Sequence, residues 1–159
     1  MNYFELYGLP VSLKVNKQQL AQSYIELQKK HHPDFFSQET EYEQAEALEL
    51  SSEVNKAYNT FKNEDATIKY VLQLKGLLQE EEKYQLPPDF LMEVMELNET
   101  LSEGTSPQID QFSKEIFDEV KDIIENYNDS SITTAALLKV KEYYFKKKYL
   151  QRILERLVD

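Results

Sequence analysis

Residues 16–34 read NKQQLAQSYIELQKKHHPD, and this stretch decides the fold of the first part of the chain. It begins with Asn16, a residue type that caps helix N-termini, and the residues after it recur at the spacing of one helical face. Pro33 ends the helix, because proline lacks an N–H and disfavours helical geometry at the residue before it. The pattern therefore predicts a helix over 17–31 that ends in a rigid turn. The residues of its packed face are Leu20, Tyr24, Leu27 and His31.

Further helices are predicted on both sides of this stretch. Glycine and proline are rare in the chain, and each of them marks a helix end. Between them apolar residues keep a helical spacing, and no stretch alternates with the period of a β-strand. The predicted helices are 40–62, 65–76, 89–103, 106–127 and 131 to the C-terminus. The core residues expected within 40–76 are Leu48, Val54, Ala57, Tyr58, Phe61, Ile68, Val71 and Leu72.

These helices predict an all-α protein in two parts. The N-terminal part spans 1–76 and contains an antiparallel helical hairpin. Residues 77–88 are polar and lose the helical spacing, so we interpret them as a linker. The three helices within 89–159 are joined by short connections, which makes them antiparallel neighbours in a small three-helix bundle.

The composition excludes several classes of protein. The formal net charge of −11 argues against nucleic acid as a partner, because phosphate binding needs clustered Lys and Arg. The chain has no cysteine, which excludes disulfides, thiolate nucleophiles and cysteine-bound clusters. Its longest apolar run, 135–138, is far shorter than the roughly 20 residues that span a bilayer. We expect a cytoplasmic protein that binds neither nucleic acid nor a membrane.

The hexapeptide KKHHPD at 29–34 is the most unusual chemical feature of the chain. It could be a metal site of His31, His32 and Asp34, an acid–base pair of His32 and Asp34, or a recognition loop. No further His or Cys completes a metal site, and no nucleophile or phosphate loop accompanies the pair. We favour a rigid loop that presents charge to another protein. We therefore expect no catalytic residue, no metal and no cofactor.

The helix predicted over 89–103 carries more apolar residues than one packed face needs. Its core stripe is Phe90, Val94, Leu97 and Leu101. Beside that stripe lie Leu91, Met92 and Met95, which are bordered by Glu96, Glu99 and Glu103. These extra residues are either a widened edge of the core or an exposed binding patch, and methionine suits adaptable binding surfaces.

Several motifs resemble those of a known family. The HPD triplet at 32–34 resembles the signature loop of J-domains, the co-chaperones of Hsp70-type ATPases. YFELYGLP at 3–10 resembles the J-domain opening, and VNKAY at 54–58 resembles the signature of its third helix. With FLMEVMEL at 90–97 and YVLQLKG at 70–76, the chain is similar to the HscB-type co-chaperones of iron–sulfur cluster biogenesis.

This resemblance implies a function, two partners and two sets of residues. It implies stimulation of the ATPase of a dedicated Hsp70-type chaperone, HscA-like or DnaK-like, and delivery of an IscU-like iron–sulfur scaffold protein to it. The residues implied to bind the Hsp70 are Lys17, Lys29, Lys30, His32, Pro33 and Asp34. Those implied to bind the scaffold are Leu91, Met92, Met95, Glu96, Glu99, Glu103 and Phe145. The alternative is a J-protein that delivers a different client.

The chain departs from the family pattern at some positions. His31 replaces the aromatic residue that commonly precedes the signature loop, and Phe35 stands where many J-domains carry a basic residue. Phe145 has a second interpretation as a residue of the bundle core. The neighbours that favour this interpretation are Leu138, Tyr149 and Ile153.

Overall fold

The computed structural model describes residues 1–100 and 107–158, and within them all regular structure is helical. The helices are α1 (Tyr3–Tyr7), α2 (Lys17–His31), α3 (Glu41–Phe61), α4 (Glu64–Leu74), α5 (Pro88–Thr100), α6 (Pro107–Asp118), α7 (Lys121–Glu125) and α8 (Thr134–Val158). A short 3₁₀ helix, Pro33–Phe36, follows α2. The chain forms two compact units, Met1–Val71 and the residues from Leu72 onward. The all-α class is thereby confirmed.

Side-chain caps set the helix boundaries of the first unit. Asn16 begins α2 by accepting hydrogen bonds from the amides of Gln18 and Gln19 at 2.9 and 3.0 Å. Thr40 begins α3 in the same way, with its hydroxyl 3.2 Å from the amide of Glu43. These caps confirm the predicted starts of both helices within a residue, because capping depends only on residues close in sequence.

An aromatic cluster forms the core of the first unit and joins α1 to α3 and α4. Phe4 is fully buried and its ring lies 4.7 Å from the ring of Phe61. Tyr3 stacks on Tyr70 of α4 at 4.7 Å, and its amide donates to the Tyr70 hydroxyl. Aromatic pairs of this kind contribute about 0.5–1.5 kcal/mol beyond their buried area. The five-residue helix α1 is therefore held by packing, not by its own length.

One core residue predicted for α3 is wrong. The side chain of Leu48 is 62% exposed, whereas Ala47 and Ser51 are buried. The helix turns by about 100° per residue, so Leu48 lies a quarter of a turn away from the face that contains Ala47, Ser51 and Val54. On α2 only Leu20 is fully buried, and Tyr24 packs at the edge of the hairpin against Tyr58 at 4.5 Å.

The helix predicted over 106–127 is also wrong in one respect, since it consists of two helices. α6 ends at Asp118, and Val120 takes backbone angles of φ −119° and ψ 0°, outside the α region. This break leaves the Val120 side chain only 2% exposed, and α7 then buries Ile124. The apolar spacing of the sequence continues through the break as if the helix were unbroken. Burial of Val120 and Ile124 in the bundle instead favours two separate helices.

The segment between α4 and α5, predicted as a linker over 77–88, belongs to the second unit and packs on α8. Gly76 ends α4 with φ +73°, a left-handed conformation that glycine adopts without steric cost. Leu78 is 5% exposed, and Glu82 and Tyr84 contact Lys141 and Phe145 of α8. The segment is thus irregular in backbone but attached along α8.

We predict that Tyr7→Phe lowers the free energy of unfolding by about 1 kcal/mol. The Tyr7 hydroxyl donates to the Val54 carbonyl at 2.6 Å, and burial raises the pKa of this phenol, which keeps it a donor. Urea unfolding of the full chain measures the change. The control is Tyr42→Phe. Tyr42 is 77% exposed, so removal of its hydroxyl should change the free energy of unfolding very little. Equal stability of the two variants would contradict the role assigned to Tyr7.

Candidate partner-binding sites

The loop after α2 is shaped by two adjacent residues. His32 has φ −61° and ψ 134°, the extended geometry that a following proline imposes, and its amide closes α2 by donating to the Gln28 carbonyl at 2.9 Å. Pro33 occupies the first position of the 3₁₀ helix, where an N–H would have no helical partner. His32 therefore caps the helices on both sides of the turn, and the turn is rigid for local reasons.

The ring of His32 folds back onto Asp34. Its Nδ1 atom accepts a hydrogen bond from the Asp34 amide at 3.2 Å, so the neutral ring carries its proton on Nε2. The same Nδ1 lies 3.6 Å from Oδ2 of Asp34. The side chain of Asp34 is 88% exposed. The loop thus presents a carboxylate acceptor at a constrained position.

His31 points to a different environment from His32. It lines a cavity of about 300 Å³ between the end of α2 and α3, together with Phe36 and Leu50. Partial burial, with Lys30 beside it, lowers the pKa of His31. In the parts of the chain that the structure describes, no three His, Cys, Asp or Glu side chains are grouped as metal ligands. The two imidazoles therefore have different roles. His31 packs between α2 and α3, and His32 belongs to the loop.

The structure brings together most of the residues predicted to dock on the Hsp70. Lys29 and Lys30 are exposed in the last turn of α2, directly before the loop. Lys17 is exposed at the opposite end, twelve residues or about 18 Å along the helix, and its ammonium group reaches the Lys62 carbonyl. Phe35, which sequence reasoning treated only as a lost charge, is 64% exposed and meets the His32 ring edge to face at 6.3 Å.

On α5 the structure decides between a widened core and an exposed patch. Phe90 and Val94 are buried, with Phe90 stacked on Phe112 at 5.7 Å. Met92 and Met95 are 63% and 65% exposed. The two methionines therefore lie outside the core, as the spacing of the buried stripe predicts.

The other residues predicted to bind the scaffold border this patch or lie on α8. Leu91 is half-buried, and Glu96 and Glu99 are exposed. Glu103 lies outside the described residues. Of the predicted core stripe of α5, Leu97 is half-buried and Leu101 lies outside the described residues. Phe145 is half-buried and stacks on Tyr84 at 4.6 Å.

The neighbours behind the core interpretation of Phe145 differ in exposure, and Ile153 is half-buried like Phe145 itself. Leu138 is 46% exposed, and Tyr149 is half-buried with its ring 6.1 Å from that of Phe90. Sequence reasoning missed Tyr84, whose only signal was an aromatic residue in an otherwise polar segment.

In sequence, this chain is similar to co-chaperones of the HscB family. The HSCB C-terminal oligomerisation domain matches residues 86–158. The co-chaperone protein HscB homolog of Psychromonas ingrahamii is 32% identical over an alignment of 169 positions, which covers the whole of both chains. The co-chaperone protein HscB of Proteus mirabilis is 38% identical over 104 residues, which make up 65% of this chain and 60% of that protein.

Two solved structures show the same similarity. The human co-chaperone protein HscB superposes with a TM-score of 0.76 and 31% identity, covering 99% of this chain and 80% of the human one. The chaperone HscB from Vibrio cholerae superposes with a TM-score of 0.65 and 26% identity, covering 99% and 95% of the two chains.

The exposure pattern of α5 predicts which substitutions destabilise the protein. Met92→Ala combined with Met95→Ala should change the free energy of unfolding by less than about 1 kcal/mol per site, because neither side chain fills the core. Val94→Ala should cost about 1–3 kcal/mol, since it leaves a cavity beside Phe90. Urea midpoints of the full chain measure both. A fall in the midpoint of the methionine variant as large as that of Val94→Ala would show that the methionines are core residues.

Proposed function

Because the chain belongs to the HscB family of co-chaperones, we propose that it couples an Hsp70-type chaperone to an IscU-like iron–sulfur scaffold protein. The Hsp70 is HscA-like or DnaK-like and docks on the N-terminal J-domain, with boundaries at 1–76. The scaffold binds the C-terminal bundle over 89–159. The co-chaperone stimulates ATP hydrolysis by the Hsp70 while it holds the scaffold nearby.

The observation that carries this proposal is the geometry of the loop at 32–34. A rigid backbone, fixed by Pro33, holds an exposed carboxylate beside an imidazole whose Nε2 is left to donate. Such a pair can bind basic and polar groups of an ATPase domain with little loss of conformational freedom.

Basic residues around the loop would attract the Hsp70 and orient it on the loop. Lys29 and Lys30 extend the site from the loop onto α2, and Lys17 marks the far end of the same helix. Exposed charges of this kind increase the association rate with an acidic surface, and salt weakens the effect. We propose that Lys17 contributes only this long-range attraction, because it lies a full helix length from Asp34.

The scaffold would contact the exposed side of α5. Met92 and Met95 supply apolar area, and Leu91 continues it toward the core. Glu96 and Glu99 border that area and favour a client whose matching surface is apolar with a basic rim. We include Glu103 and Phe145 in the same binding surface on the strength of the family resemblance.

We further propose that the protein makes and breaks no covalent bond itself and acts in the cytoplasm. The relatives are named co-chaperones, and hydrolysis of ATP would belong to the Hsp70. Within the described residues, no helix is both long enough and apolar enough to cross a bilayer.

His32→Gln should abolish stimulation of the Hsp70 ATPase without altering the fold. Glutamine removes the imidazole that accepts a hydrogen bond from the Asp34 amide. Because the side chain of His32 lies outside the core, the free energy of unfolding should change by less than about 1 kcal/mol. Single-turnover ATPase assays with matched thermal melts measure both effects. The matched control is His31→Gln, which alters the adjacent imidazole but leaves the loop intact. Full stimulation by His32→Gln would refute docking through this loop.

Met92→Ala with Met95→Ala should weaken binding of an IscU-type scaffold at least tenfold, since a few central apolar residues usually dominate an interface. Calorimetry with the full chain measures the affinity. Stimulation of the Hsp70 in the absence of scaffold should stay at the wild-type level. Leu48→Ala is the matched control, because Leu48 is 62% exposed and lies on α3, outside the bundle proposed to bind the scaffold. Unchanged affinity would favour a client that binds elsewhere.

A further inference from the structure

The irregular segment 79–86 contains a turn with an unusual backbone. The Glu82 amide donates to the Gln79 carbonyl at 3.3 Å, and Oε1 of Glu82 accepts from the Gln79 amide at 3.1 Å. Within this turn Glu81 has φ +56°, a left-handed conformation that is costly for a residue with a β-carbon. A conformation of this kind persists only where surrounding contacts hold it.

The contacts that hold this turn come from Lys141 of α8. Its ammonium group lies 2.6 Å from Oε2 of Glu82, and the two side chains are only 14% and 23% exposed. The hydrogen bond from Lys141 lowers the pKa of Glu82. The same ammonium group lies 5.6 Å from the ring centre of Tyr84, within the range of a cation–π contact. One buried cation therefore orients both Glu82 and Tyr84.

Tyr84 in turn fixes the ring of Phe145. The two rings are parallel within 4° and their centres are 4.6 Å apart. Tyr144 meets Phe145 edge to face at 5.3 Å, with an angle of 83° between the rings. Phe145 therefore has aromatic contacts from two directions, one from its own helix and one from the segment 79–86.

The chain after Tyr84 continues along α8 to the start of α5. Phe90, at the start of α5, meets Tyr149 at 6.1 Å, one helical turn beyond Phe145. The ammonium group of Lys146 lies 5.4 Å from the Phe90 ring centre. Two successive aromatic contacts thus place the segment and α5 beside one stretch of α8.

We propose that Tyr84 is a positioning residue for the scaffold-binding surface. Held by Lys141 and Glu82, it keeps the Phe145 ring in the orientation that the scaffold recognises. This inference rests on the proposed function, in which Phe145 contacts an IscU-like scaffold. Orienting the ring before association reduces the conformational entropy lost on binding. The segment 79–86 is then part of the binding site, because it supports one of the contact residues.

Calorimetry of full-length variants with a purified IscU-type scaffold tests this role. Tyr84→Leu should weaken affinity roughly three- to tenfold, the effect of losing one stacked aromatic pair. Tyr84→Phe keeps the stack and should bind within about twofold of wild type. Lys141→Met should weaken affinity by less than Tyr84→Leu, since it removes the orienting cation but leaves both rings. Urea midpoints and scaffold-free stimulation of the Hsp70 should be unchanged in Tyr84→Phe.

A double-mutant cycle separates positioning from direct contact. If Tyr84 acts through Phe145, then Tyr84→Leu with Phe145→Ala should bind no more weakly than Phe145→Ala alone. Additive losses would overturn the positioning role, as would wild-type affinity of Tyr84→Leu. If Tyr84→Leu binds the scaffold as tightly as wild type but Met92→Ala with Met95→Ala loses binding, the positioning role is wrong and the proposed function stands. Failure of the wild-type chain to bind the scaffold at all would overturn the proposed function and this inference together.

Discussion

The constraint imposed by Pro33 underlies the architecture of the first unit. Proline keeps His32 out of the helical region, so α2 must end there and the chain must turn toward α3. The hairpin that results is joined along its length by side chains, with Gln28 donating to Asn55 at 2.9 Å and Tyr24 packed on Tyr58. The same turn leaves Asp34 exposed at a defined position. One covalent restriction thus serves both the fold and the proposed docking site.

The two proposed sites use different physical interactions. The loop offers a carboxylate and an imidazole on a rigid backbone, with lysines nearby, so it depends on charge and geometry. The α5 patch offers flexible methionine side chains bordered by carboxylates, so it depends on buried area with charge at its rim. Salt should therefore affect docking of the Hsp70 more than retention of the scaffold.

Local rules predicted those features that depend on residues close in sequence. The caps at Asn16 and Thr40 and the end of α2 at Pro33 follow from spacing and residue type. The same rules failed for Leu48, where a neighbouring residue on the helix faces the core instead. A helix rotated by one residue about its axis buries different side chains. The spacing of apolar residues in α3 fits both orientations, so it does not show which one the helix takes.

The sequence by itself determined the helical class and the position of the loop. Each of these depends on backbone sterics or on helical periodicity, which act over a few residues. Only the tertiary structure decided that the helix over 106–127 breaks at Val120 and that Tyr84 meets Phe145. These features depend on contacts between residues far apart in the chain, and such contacts form only when the bundle packs.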